Sequence, residues 1–141
     1  MFPDNYAQGQ FPVKGLKILL VEDDEICRNV VKKVLTMHGM EIEAVCCGED
    51  ALEYLAGCCD IDIILMDIQL PGIDGIEATK KIREMKNLEV PVIALTALAE
   101  EWRKEKFFPE GFDDYLSKPV DIDLLFDAIR KQIEHYSDSN R

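Results

Sequence analysis

The chain has 141 residues, 48% hydrophobic and 31% charged, with a formal charge of -12 at pH 7 and a pI near 4.5. A chain of this length and apolar content encloses the core of one domain without disulfide or metal staples, which excludes wholesale disorder. The acidic balance and the lack of a Lys/Arg cluster exclude a nucleic-acid partner, and no apolar run approaches the ~20 residues of a membrane span, so a cytoplasmic protein without membrane insertion is expected.

Residues 1–14 mix Pro, Gly, Gln, Asn and Asp without periodicity and read as a flexible N-terminal tail. The domain is expected over residues 15–135, with 136–141 as a flexible C-terminal tail. It opens on the apolar run Leu16 to Val21, which suits a strand buried on both faces. Acidic residues then open a helix on which Ile26, Val30, Val31, Val34 and Leu35 recur at helical steps, ending near His38 and Gly39. The alternation continues with strand Glu41 to Val45, helix Glu49 to Ala56, strand Ile61 to Met66 and helix Ile76 to Met85. Strand Val90 to Leu95, helix Glu100 to Phe107, strand Asp113 to Leu116 and helix Leu124 to Ile133 complete it. Strands separated by helices run parallel when crossovers are right-handed, so this (βα)5 rhythm predicts a doubly wound five-stranded parallel α/β sheet. The five cysteines, Cys27, Cys46, Cys47, Cys58 and Cys59, lack CxxC spacing and read as reduced thiols with no metal role.

In such sheets ligands sit beyond the carboxyl ends of the strands. Those positions hold Glu22, Asp23 and Asp24 after the first strand, Asp67 after the third, Thr96 after the fourth and Lys118 after the fifth. Taken singly each has a plain structural reading, as an N-cap or a turn; their placement on four strand ends of one sheet is what points to chemistry. Carboxylates brought together repel unless protons or a cation neutralise them, and Mg²⁺ suits an incomplete all-oxygen cluster. Asp67, at the mouth of a central strand, is placed to act as an oxygen nucleophile toward a phosphoryl donor. Lys118 supplies a cation for the carboxylate or for a phosphoryl oxygen, and Thr96 a hydroxyl donor. Ala97 is small enough to let a backbone N–H approach, and Pro119 makes a cis peptide at Lys118 available.

The segments ILLVEDDEICRNV, IILMDIQLPGIDG, VIALTA and DDYLSKPVD resemble, in order and spacing, the response-regulator receiver domain family over roughly Lys17 to Ile133. The resemblance implies the flavodoxin-like strand order 2-1-3-4-5 and phosphorylation of Asp67 by a histidine kinase or histidine phosphotransfer protein. It further implies that Asp23, Asp67 and the Gln69 backbone carbonyl ligate Mg²⁺, for which Mn²⁺ substitutes, with Glu22 reaching the ion through water. Thr96 and Tyr115 become the switch, Lys118 the phosphoryl clamp, and Asp24 a neighbour of the metal shell. The output is expected through an unidentified protein target, with no DNA-binding output domain, and the chain is expected to promote its own phosphorylation and dephosphorylation as a signalling phosphoacceptor, not a conventional enzyme.

Its style is closest to receivers attached to or serving hybrid kinases in phosphorelays, or to stand-alone single-domain regulators. Glu22 stands where many single-domain members have aspartate, and Cys27 where many phosphorelay relatives carry asparagine. The segment EEWRKEKFFPEG is bulkier than the usual fourth helix, which belongs to the family's usual docking face with the fifth strand and fifth helix. A Mg²⁺-dependent phosphohydrolase, the competing enzyme reading, wants a second acid two residues after the nucleophile, where this chain has Gln69. A receiver-like scaffold working without phosphorylation is the competing binding reading.

Overall fold

The computed structural model describes residues 15–57, 60–85, 89–97 and 110–139. Five strands, β1 (Lys17–Val21), β2 (Glu41–Val45), β3 (Ile63–Asp67), β4 (Val92–Thr96) and β5 (Asp114–Ser117), pair in parallel in the order β2-β1-β3-β4-β5. The helices α1 (Glu25–Met37), α2 (Gly48–Ala56), α3 (Gly75–Glu84) and α4 (Ile122–Ser139) cover its two faces. The expected helix Glu100 to Phe107, the tail 1–14, and Cys58 and Cys59 lie outside the described residues.

The uninterrupted apolar runs of β1, β3 and β4 follow from burial on both sides, and the pleat divides their side chains between two cores. Leu20, Leu65 and Leu95 pack with Val31 and Leu35 of α1 and with Leu125, Phe126 and Ile129 of α4. On the other face Leu19, Ile64, Met66 and Ala94 pack with Ala51 and Leu55 of α2 and Ala78 and Ile82 of α3. The chain leaves β1 outward to β2 and returns past it to β3, so strand order reverses between β1 and β3 and a crevice opens at their carboxyl ends.

Element boundaries shift where pairing or capping overrides periodicity. β3 begins at Ile63, not Ile61, because the ladder to β1 starts at Ile18 opposite Ile63 and the Asp62 carboxylate accepts from Lys17 N at 2.8 Å. β4 begins after Pro91, which has no N–H to give, and both β3 and β4 extend one residue further than expected, taking in Asp67 and Thr96. Asp74 caps α3 by accepting from Glu77 N at 2.9 Å, which starts that helix at Gly75. Gly39, with φ of 86°, takes the left-handed turn that closes α1. Asp121 accepts from Leu124 N at 3.1 Å, so α4 starts two residues before Leu124. Its backbone stays helical to Ser139, into the segment read as a tail, because apolar periodicity marks only the turns that the sheet buries. No helix among the described residues is long and apolar enough to cross a membrane.

Candidate functional site

The crevice collects the residues that follow the strands. Glu22, directly after β1, is wholly buried, whereas Asp23 is exposed. Asp24 points the other way: its Oδ1 accepts from Ile26 N at 2.9 Å and Cys27 N at 3.3 Å, capping α1. Its own N–H donates to Glu22 Oε2 at 3.1 Å. Arg28 ties the acidic loop down by donating from Nη1 to Glu22 O at 3.0 Å, an arrangement that no local sequence signal announces.

Asp67 closes β3 with 2% of its surface exposed, and its Oδ1 accepts from Gln69 N at 3.1 Å. Lys118 Nζ stands 2.9 Å from Asp67 Oδ2 and 2.6 Å from Glu22 Oε1. The second contact is an ion pair whose angle leaves Oε1 without an aligned hydrogen bond. Lys118 N donates to Thr96 O at 2.9 Å, and the Lys118–Pro119 peptide is cis. One oxygen each of Glu22, Asp23 and Asp67 lies within 4.8 Å of the others, an all-oxygen set with one open, exposed side.

The pocket's charges do not balance. Burial, and then the neighbouring Glu22, push the Asp67 carboxyl up to about 7 against the pull of Lys118. For Glu22 burial acts upward too, but hydrogen bonding with Asp67 and Lys118 outweighs it and the carboxyl falls to about 2. The metal-free pair therefore holds one proton between its members in mild acid and gives it up around neutrality. Burial would lower Lys118, yet the two carboxylates prevail and raise it, so it remains a cation.

Thr96 closes β4, almost wholly buried, with the small, exposed Ala97 after it. Tyr115 is half-buried and pairs in register with Ala94, two residues before Thr96, so Thr96 and Tyr115 share one face of the sheet. Gly75 brings the start of α3 against the end of β3. A Cβ there would fall 2.1 Å from the Asp67 carbonyl oxygen, which reserves the position for glycine. Sequence reasoning missed it, although the second glycine of LPGIDG was the available signal. Glu22, Asp23, Asp67, Thr96 and Lys118 gather at this end of the sheet, Glu22, Asp67 and Lys118 in direct contact and Asp23 in reach of the other two carboxylates, whereas Tyr115 sits two residues deeper, opposite Ala94.

The chain is similar to a hybrid signal transduction histidine kinase of Dictyostelium discoideum, 39% identical, over 89% of this chain and 8% of that protein, so it spans a small part of that relative. Among solved structures it is similar to the receiver domain of a sensor histidine kinase from Pseudomonas aeruginosa with magnesium in its active-site cleft. That match has a TM-score of 0.77 and 37% identity, covering 85% of this chain and 98% of that one. A second is the receiver domain of a Saccharomyces cerevisiae response regulator in complex with its histidine phosphotransfer protein, with a TM-score of 0.76 and 29% identity over 84% of this chain and 89% of that one. Residues 18–130 match the response regulator receiver domain family across this same fold and crevice, and the chain belongs to that family.

Proposed function

We propose that Asp67 accepts a phosphoryl group from a phosphohistidine on a histidine kinase or phosphotransfer protein in a Mg²⁺-dependent reaction. The observation that carries this reading is a buried Asp67 carboxylate that shares one lysine with Glu22 and lies in reach of Asp23, at the open mouth of the sheet. An Asp67 oxygen attacks phosphorus in line, the P–N bond to the donor imidazole breaks, and its electron pair returns to that nitrogen. Lys118 follows the new charge from the carboxylates to a phosphoryl oxygen, and Thr96 turns its hydroxyl to a second one. Tyr115, on the same face, moves inward as Thr96 shifts, which alters the surface read by a downstream protein.

The three carboxylates, with the Gln69 carbonyl and with Glu22 acting through water, fit Mg²⁺ or Mn²⁺, which when bound neutralises carboxylate and phosphoryl charge. One ion-pair exchange and one hydrogen bond amount to a few kcal/mol, short of the ~5.5 kcal/mol that a 1:99 to 99:1 switch requires, so the response is graded. In this reading the chain is a signalling phosphoacceptor acting in the cytoplasm, with its output through a protein target. Intact-mass measurement after incubation with phosphoramidate tests the reading: one phosphoryl group is gained with Mg²⁺ and none with a chelator. A gain independent of the metal would refute it.

A protein donor must cover whatever adjoins the mouth. On α1 the side chains of Ile26 and Val30 are 77% and 51% exposed, beside a groove of about 520 Å³ lined by Cys27, Lys118, Pro119 and Val120. Ile26→Asp is expected to slow phosphotransfer from the phosphorylated yeast histidine phosphotransfer protein by roughly tenfold or more, the effect of an unpaired charge in an apolar contact. Labelling by phosphoramidate should stay at the wild-type rate, since Ile26 does not reach the carboxylates.

A further inference from the structure

Residues 68–74 leave the end of β3 and return to it at the start of α3. This loop is fastened at its base, where Gly75 N donates to Ile68 O at 2.9 Å and the Gly75 Cα backs onto the Asp67 carbonyl. Gln69 N donates to Asp67 Oδ1 at 3.1 Å. These contacts hold the two ends of the loop and leave its crown to be held from another element. Pro71 and Gly72 there are exposed, and Ile73 is half-buried.

The first turn of α2 supplies that support. Gly48 is buried, and a Cβ on it would fall 2.8 Å from Ile73 Cγ1 and 3.0 Å from Ala78 Cβ, so its missing side chain lets Ile73 seat on the helix. At the next residue, Glu49 Oε2 accepts from Ile73 N at 3.2 Å. The same oxygen lies over Gly72, where φ is 74° and a Cβ would run into it. The Glu49 carboxylate therefore meets the loop at its left-handed turn and at the N–H that follows. Its own backbone N–H, and then that of Ile73, lower the Glu49 carboxyl from its ordinary value, which keeps it an acceptor at neutral pH.

We propose that Glu49 is a positioning residue of the phosphoacceptor loop, whose carboxylate pins the Ile73 N–H over Gly72 and so fixes the stretch that offers the Gln69 carbonyl to the cation. With the base closed on β3 and the crown held by α2, the few residues between have little freedom left, and Gln69 is one of them. Glu49 touches no reacting atom and acts only through the backbone. Its consequence for the cation rests on the Mg²⁺ reading of the pocket; the bond from Ile73 does not. A carboxylate in the first turn of a helix also suits the helix dipole, so the charge of Glu49 and its reach to Ile73 are two separate properties.

Two conservative variants separate them. Glu49→Gln keeps an acceptor oxygen at the same reach and loses the charge, whereas Glu49→Asp keeps the charge and falls one methylene short. In the metal-free protein, amide exchange at Ile73 followed by NMR should quicken about fivefold in Glu49→Asp and Glu49→Ala, the worth of one net hydrogen bond, and stay near wild type in Glu49→Gln. By calorimetry at about 0.15 M salt, which screens the change in charge, Glu49→Asp and Glu49→Ala should bind Mg²⁺ about threefold to tenfold more weakly while Glu49→Gln keeps wild-type affinity. Ile73 exchange that is the same in wild type and every variant, or that quickens in Glu49→Gln and not in Glu49→Asp, overturns the proposal. So does a Mg²⁺ affinity that ignores a quickened Ile73. A wild type that binds no Mg²⁺ would instead refute the reading of the pocket, with the exchange arm, which uses neither metal nor phosphodonor, still deciding whether Glu49 pins the loop. Thermal melts verify that each variant folds; if they do not, the wild-type Ile73 amide decides, since exchange at the rate of an unstructured peptide overturns the proposal and slower exchange supports it.

Discussion

Asp67→Asn is expected to abolish phosphoryl incorporation and, at the same time, to make the metal-free protein more stable at neutral pH. The loss follows from removing the nucleophilic oxygen. The gain follows from the strain on the wild-type carboxyl, which burial and then Glu22 raise from an ordinary 3.8 to about 7. An acid with a raised folded-state pKa binds its proton more tightly when folded, so its ionisation opposes folding increasingly as pH rises from about 4 to about 7. Below about pH 4 the opposition is absent, because the group is protonated folded and unfolded alike. Each pKa unit corresponds to about 1.4 kcal/mol, and after allowance for relaxation of the pocket we expect a gain of about 1–3 kcal/mol above neutrality. The asparagine leaves Lys118 to Glu22 alone and keeps a carbonyl oxygen to accept from Gln69 N–H. Paired thermal melts at about pH 4 and about pH 8 check it: the variant should lead at the higher pH and converge with wild type at the lower. A destabilised variant at the higher pH would show that the carboxyl is not held against its preference.

Lys118→Met should have the opposite effect on stability. It leaves Glu22 and Asp67, both buried, without the cation that each contacts. Removing one partner of a buried ion pair costs about 3–5 kcal/mol, and the lower end applies here because the pair can take up a second proton. Without the lysine the coupled pair loses a cation that acts downward on both carboxyls, so its members hold their protons more tightly when folded. The penalty therefore appears as pH rises through about 4 and grows toward neutrality, and it should be small in acid. Mg²⁺ supplies the missing positive charge, so millimolar metal should recover much of the loss at about pH 8 and little at about pH 4, where protons occupy the ligands. Denaturant titrations at the two pH values, with and without metal, give the four numbers needed. A loss that is equal at both would mean that Lys118 matters through its packing and not through its charge.

These two variants explain why the pocket reads as functional. A protein selected for stability alone would not bury two carboxylates against one lysine; a site built to receive a cation and a phosphoryl group would.

Much of this was legible in the chain itself. The apolar runs Leu16 to Val21, Ile61 to Met66 and Val90 to Leu95 suit strands of a doubly covered sheet, and the stretches between them carry a helical repeat. From that alternation the positions of Asp23, Asp67, Thr96 and Lys118 at the carboxyl ends followed, since the periods of strand and helix are local properties of consecutive residues. What the chain could not disclose was who touches whom. Lys118 lies far along the sequence from both Glu22 and Asp67, and its bridging of the two depends on the strand order, which brings the ends of β1, β3 and β5 around one crevice. Arg28 on the acidic loop and the Gly75 approach to the Asp67 carbonyl are likewise contacts between elements. So too are the starts of β3 and β4, set by the Lys17–Asp62 bond and by Val92 N–H donating to Asp113, and not by hydrophobic period. Sequence by itself determined the kind of sheet and which residue types stand at its mouth, because those depend on local periodicity and residue identity. Only the tertiary structure decided which carboxylate is strained and which is paired, because burial and charge proximity arise when distant strands are brought side by side.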